Sequence, residues 1–161
     1  MVNELEIVVS DLAGTEAFGR RLAAHLFGGV VIALVGPLGA GKTYLVRAVA
    51  EGLGVVNSRV VSSPTFVLIQ EYAGRLPIYH FDAYRLKDSR EFMDLGAHEY
   101  FESKGVCLVE WADRVEDGMP QDHLRITLEI IGETARRITL EGRGARHQEL
   151  MKSINASSHS Q

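Results

Sequence analysis

The sequence predicts a three-layer α/β domain with a mixed, partly antiparallel central sheet. Three observations carry that prediction. An apolar run from Val30 to Val35 leads into a glycine-rich loop and then into a segment of helical periodicity, the order strand, loop, helix. A second continuous apolar run, Val106 to Val109, has the length of a buried strand and ends on an acid, Glu110. Two pairs of strand-like segments, Phe66 to Tyr72 with Leu76 to Phe81, and His123 to Ile131 with Arg136 to Glu141, are joined by short turns and read as antiparallel additions.

In chain order, Leu5 to Val9 alternates weakly and reads as a short strand. Ser10 or Asp11 can cap a helix running to about Phe27, with Leu12, Ala13, Phe18, Leu22 and Leu26 apolar. Gly28-Gly29 ends it, and the Val30 to Val35 strand follows. The helix after the glycine-rich loop spans Tyr44 to Leu53, places Leu45, Ala48, Val49 and Leu53 on one face, and stops at Gly54. Val60-Val61 reads as a short strand, and Pro64 fixes a turn before the first hairpin. Ala73-Gly74-Arg75 turns that hairpin. Asp88-Ser89 can cap a short helix from Arg90 to Leu95, and a second covers about Ala97 to Ser103. Asp113 to Asp117 reads as a helical turn, and Ala145 to Ser153 as a last helix. With no internal repeat and no linker, residues 1–152 read as one domain, and 153–161 as a polar, mobile tail.

A chain of 161 residues, 46% hydrophobic, can bury a real core. No apolar run approaches the roughly 20 residues of a membrane helix, so no membrane partner is expected. The single cysteine, Cys107, sits inside an apolar strand; a disulfide framework is excluded and a reducing, cytoplasmic setting fits. A net charge of −4 argues against a protein that grips nucleic acid alone. The one basic cluster, Arg136, Arg137, Arg143 and Arg146, reads first as a solvated face and second as a contact with ligand phosphate or a partner.

The chemistry centres on Gly36-Pro37-Leu38-Gly39-Ala40-Gly41-Lys42-Thr43, a full match to the phosphate-binding P-loop G-x-x-x-x-G-K-[ST] in its required strand–helix context. Glycines let backbone N–H groups approach an anion closely, and the helix N-terminus adds positive potential. Lys42 can reach the β- and γ-phosphates of ATP, and the Thr43 hydroxyl can ligate Mg²⁺. Such a site needs a second acid near the metal. Glu110, at the end of its apolar strand, fits that Walker B position. Asp82 also ends an apolar run and either orients the attacking water, supports the metal, or caps a turn. Thr65 carries a hydroxyl in a loop suited to moving with nucleotide state, or is an ordinary turn hydroxyl. Trp111, beside Glu110, reads as core or as a nucleotide or partner contact. The six histidines show no metal-binding spacing and read as surface or packed imidazoles, so no metal cluster is expected.

Absences narrow the class further. The chain has no Asn-Lys-x-Asp guanine-reading motif, no L-S-G-G-Q signature and no G-x-S-x-G nucleophile elbow. What is left is a minimal ATPase or a small kinase.

The P-loop, Ser63-Pro64-Thr65-Phe66, His80-Phe81-Asp82-Ala83-Tyr84-Arg85 and Leu108-Val109-Glu110-Trp111, in that order, closely resemble the TsaE (YjeE) family. These are bacterial ATPases of tRNA threonylcarbamoyladenosine (t6A) synthesis. The resemblance spans about residues 5 to 145 and implies a P-loop NTPase fold. It implies ATP and Mg²⁺ as cofactors and weak hydrolysis by the protein alone. The implied partners are TsaB and TsaD, which transfer the threonylcarbamoyl group to adenosine 37 of tRNAs reading ANN codons; tRNA is met only through that complex. By motif match, Thr43 and Glu110 take the metal, Leu38, Gly39, Ala40, Gly41, Lys42 and Thr43 the phosphates, Asp82 the γ-phosphate side, and Thr65 the switch loop. The nucleotide pocket would also draw on the segment near Leu12 and Thr15 and on the turn at Gly132. The face around Thr65 and Asp82 is expected to dock on TsaB–TsaD.

Two competing readings use the same loop. A small-molecule kinase would employ Asp82 as base for a substrate hydroxyl, with only Arg85 and Arg90 placed to serve as lid arginines. A nucleotide-dependent binding module would need no catalysis.

Overall fold

A computed structural model describes residues 4–57 and 68–159. The expected Val60-Val61 strand and the Ser63-Pro64-Thr65-Phe66 motif therefore lie outside the described residues.

The strands are β1 (Glu4–Val9), β2 (Val31–Val35), β3 (Ile69–Ala73), β4 (Pro77–Asp82), β5 (Val106–Glu110), β6 (His123–Ile130) and β7 (Arg136–Arg143). The helices are α1 (Leu12–Ala23), α2 (Lys42–Gly52), α3 (Ser89–Asp94), α4 (Ala97–Phe101) and α5 (Ala145–His159), with a 3-10 helical stretch at Ala112–Gly118. Among the described residues, no helix is long and apolar enough to cross a membrane. The strands form one sheet in the order β1-β7-β6-β2-β5-β4-β3. The centre, β6-β2-β5-β4, is parallel. Both wings are antiparallel: β3 on β4, β7 on β6, and β1 on β7. The two expected hairpins are present, but of their strands only β3 and β7 are antiparallel additions. β4 and β6, also expected as such, run parallel to β5 and β2, because each closes its hairpin from inside the parallel centre. The strand read at Leu5 to Val9 is β1, and it closes the far edge antiparallel to β7.

Burial explains the strand sequences. β2 and β5 lie inside the parallel centre, covered on both faces, and so read as continuous apolar runs. On one face, Phe18 and Leu22 of α1, Leu45 and Val49 of α2, and Leu150, Met151 and Ile154 of α5 form one cluster with the sheet. The sheet contributes Ile32 and Leu34 from β2, Leu108 from β5, Leu124, Ile126 and Leu128 from β6, and Ile138 and Leu140 from β7. On the other face Phe92 of α3, Ala97 and Phe101 of α4, and Ala112 and Val115 of the 3-10 stretch cover Val31, Ala33, Phe81, Cys107 and Val109. Those are the three layers. The Cys107 thiol lies in this second cluster, where burial pushes its pKa up to about 12. The outer face of the β1-β7-β6 wing carries charge instead: Arg137 pairs with Glu6 and Glu129, and Arg125 with Glu116.

Helix ends differ from expectation where hydrogen bonding decides them. Asp11 caps α1, accepting from the Gly14 N–H at 2.9 Å. The helix closes at Ala23, short of Phe27, because the next N–H groups bond three residues back: His25 to Leu22 and Leu26 to Ala23. α2 starts at Lys42, two residues before the expected start at Tyr44. α5 runs to His159, beyond Ser153 and into the stretch expected to be a tail, with Ile154 buried.

Candidate functional site

β2, β4 and β5 are parallel, so their C-terminal ends meet at one edge of the sheet. β2 delivers the P-loop, β5 delivers Glu110, and β4 delivers Asp82, which is the register partner of Glu110. Alternation along β5 turns Val106, Leu108 and Glu110 toward α2, whose first turn carries Lys42 and Thr43. The Thr43 hydroxyl accordingly donates to the Glu110 carboxylate, 3.0 Å from Oε1 and 3.2 Å from Oε2. Glu110 is buried, and so is Asp82. One Asp82 oxygen accepts the Tyr84 N–H at 2.9 Å, a turn-forming bond.

Gly39 and Gly41 adopt φ of 84° and 104°, which glycine reaches without penalty, and no atom lies within 4 Å of where a Cβ would sit on either. Lys42 Nζ donates to Gly36 O at 2.6 Å and Pro37 O at 2.9 Å and lies 3.9 Å from the centre of the Trp111 ring. Burial pulls this ammonium below the usual lysine range, against Glu110, Asp113 and Asp82, which favour its charge. Trp111 itself has φ 60°, the one left-handed non-glycine among the described residues. Its ring packs on Tyr84 at 4.9 Å, so it is a half-buried contact between the P-loop lysine and the surface.

A cavity of about 190 Å³ lies against the loop, lined by Leu12, Thr15, Gly41, Tyr44, Thr134 and Arg136 among others. Its far wall is the β6–β7 turn, held by two long-range contacts. Thr134 Oγ1 donates to Ser10 O at 2.7 Å. Arg136 donates to Ala40 O at 3.2 Å, Gly39 O at 3.3 Å and Gly132 O at 3.2 Å. Leu12 and Thr15 thus line a cavity beside the P-loop, while Gly132 takes part through its carbonyl and its neighbours do the lining. Leu38 points outward, 79% exposed. A cavity of similar size, about 210 Å³, lies between α1 and α5, away from the loop. Thr65 lies outside the described residues.

The structure brings together Lys42, Thr43, Asp82 and Glu110. Two of their neighbours escape the sequence. Arg136 reads first as part of a solvated face, and it instead braces the P-loop. His80 reads as a surface or packed imidazole. Its Nε2 lies 2.5 Å from Glu110 Oε2, and its side chain is fully buried. The signal for His80 is its place two residues before Asp82 on an alternating strand; nothing local marks Arg136.

The donor set suits a magnesium nucleotide. Thr43 and Glu110 offer hard oxygens side by side, and among the described residues no group of three or more His, Cys, Asp or Glu could hold a metal ion by itself. Mg²⁺ is held in such sites by one or two protein oxygens, with phosphates and waters completing its shell.

Residues 9–138 match the family described as threonylcarbamoyl adenosine biosynthesis protein TsaE. The chain belongs to the TsaE family. It is 45% identical over 142 residues to a Bacillus subtilis (strain 168) protein named tRNA threonylcarbamoyladenosine biosynthesis protein TsaE, covering 88% of this chain and 87% of that one. It is 40% identical over 126 residues to the TsaE protein of Treponema pallidum (strain Nichols), covering 78% and 92%. Its fold is similar to the crystal structure of Bacillus subtilis YdiB, with a TM-score of 0.82, 36% identity and 99% of each chain covered. The mixed sheet is therefore a P-loop NTPase sheet of the TsaE kind.

Proposed function

We propose that this protein is the cytoplasmic ATPase of t6A synthesis, acting with TsaB and TsaD to turn over the complex that modifies adenosine 37 of tRNAs reading ANN codons. One observation carries the ATPase part: a complete P-loop whose Thr43 touches a strand-end acid, Glu110, in a chain of the TsaE family.

Each residue then has a task. The amides from Leu38 to Thr43 receive the phosphates at the N-terminus of α2. Lys42 exchanges the carbonyls of Gly36 and Pro37 for phosphate oxygens. Thr43 and Glu110 would hold Mg²⁺, which when bound neutralises charge on the phosphates. Asp82, beside Glu110 and partly used by its turn, faces the γ-phosphate side and orients water. Thr65 contributes the switch loop. Leu12, Thr15 and the turn containing Gly132 enclose the rest of the nucleotide. The net charge of −4 fits a protein that meets tRNA through its partners.

The test is twofold. ATP–Mg²⁺ titrated into folded protein should release heat, and Glu110→Ala should abolish ATP turnover measured with TsaB, TsaD and tRNA. Silence in the calorimeter overturns nucleotide binding. Turnover that ignores TsaB and TsaD overturns the partnership, and phosphate transfer that strictly needs a small-molecule acceptor favours the kinase.

A further inference from the structure

We infer that His80 is a positioning residue for Glu110, fixing which carboxylate oxygen is turned toward Thr43 and the metal. The inference rests on the reading of Glu110 as a metal ligand.

Three observations converge. His80 and Glu110 lie on neighbouring parallel strands, His80 opposite Leu108 and Asp82 opposite Glu110, so His80 sits diagonally behind the acid on the α2 side of the sheet. Its Nε2 is 2.5 Å from Oε2, while Thr43 is nearer Oε1. The other ring nitrogen, Nδ1, is buried and has no hydrogen-bond partner among the described residues.

The orphan nitrogen decides the tautomer. A carboxylate can only accept, so a ring bonded to it must carry hydrogen on Nε2. A hydrogen on Nδ1 would be a buried donor with nothing to receive it, which native structures rarely contain. Nδ1 is therefore a lone pair, and the ring's polar function among the described residues is the single bond to Glu110. On that face Ile78 and Leu108 are apolar and fully buried, Gln70 stands opposite on β3, and the Tyr72 ring centre lies 6.2 Å from that of His80. A ring locked by packing on that side holds the carboxylate rotamer, which is how outer-sphere partners tune metal ligands.

The experiment measures ADP affinity by calorimetry in EDTA and across stepped Mg²⁺ concentrations, for wild-type protein, His80→Phe and His80→Gln. Phe keeps the bulk and removes the donor; the Gln amide N–H reaches to about the place of Nε2. His80→Phe should raise the Mg²⁺ concentration giving half the gain in affinity by about 10- to 100-fold, with affinity in EDTA held within about twofold, and His80→Gln should restore most of the response. An unmoved Mg²⁺ response in His80→Phe overturns the inference, as does an equal loss in EDTA. If wild-type binding shows no Mg²⁺ dependence at all, the metal reading of Glu110 fails instead. Should His80→Phe not fold, nitrogen NMR of histidine-labelled wild-type protein, with His80→Gln assigning the signal, reads the tautomer directly. Hydrogen on Nε2 supports the assignment and hydrogen on Nδ1 overturns it.

Discussion

His147 shows how much one side chain can do. It is fully buried on α5, its Nδ1–H donates to Asp122 Oδ1 at 2.5 Å, and its Nε2 accepts the Val31 N–H at 3.2 Å. Protonating Nε2 would set two N–H groups against each other. Burial accordingly pulls its pKa below the ordinary histidine value, with Arg146 and His123 pushing the same way and Asp122 opposing. A lowered folded pKa means the unfolded chain binds the proton more readily. Stability is then full above the unfolded value of about 6.5 and is lost as pH falls below it. The melting temperature should drop between about pH 7 and pH 5, and the drop should shrink in His147→Gln; His123, also lowered by burial, adds to the drop. His147→Ala should cost about 2–4 kcal/mol in a denaturant titration, since it leaves the Val31 N–H without a partner, removes one of the donors to Asp122 and opens a cavity. Lys42 bears on the proposed nucleotide site instead. A hydrogen bond to a charged group contributes about 1.5–3 kcal/mol, so Lys42→Ala should weaken ATP–Mg²⁺ binding about 10- to 100-fold, read by calorimetry, with the fold intact.

At the scale of elements, α2 must lie close to α1 for the P-loop to sit where it does. Two glycines permit it. A Cβ on Gly19 would come within 2.6 Å of Ala48 Cβ, and one on Gly52 within 2.5 Å of Ala23 Cβ. Gly19→Leu should therefore cost about 1–3 kcal/mol by overpacking. It should also lower nucleotide affinity, because the helix it displaces begins at Lys42. α5 makes a different contribution, placing His147, Leu150, Met151 and Ile154 at spacings of three and four residues over β6 and β7. Each buried aliphatic side chain contributes about 1.5–3 kcal/mol, and the set approaches the whole stability of a small domain. A chain ending at Arg143 should lose its cooperative thermal transition, seen by circular dichroism.

For the whole molecule, the site is assembled from distant parts. Arg136 reaches back 96 residues to the carbonyl of Ala40, and Thr134 reaches back 124 to Ser10. A ligand seated between them ties the P-loop to the β6–β7 turn and should stabilise the fold by mass action. At about 100 times its dissociation constant, ATP–Mg²⁺ should add about 2.7 kcal/mol. For a chain of this size that is a rise of about 5–10 °C in melting temperature. EDTA should remove part of that rise, and Glu110→Gln should remove the same part.

The sequence by itself determined the parts whose cause is local. A strand, a glycine loop and a helix follow from apolar runs and backbone freedom within about twenty residues, and Glu110 and Asp82 announce themselves as acids ending apolar strands. Only the tertiary structure decided what depends on register between distant strands. The bond from His80 to Glu110, the brace from Arg136 to the P-loop, the seat of His147 on Val31 and the antiparallel docking of β1 on β7 all need partners far apart in the chain. Periodicity reports which way a side chain faces; it does not report what stands opposite, because that is fixed by packing the whole sheet at once.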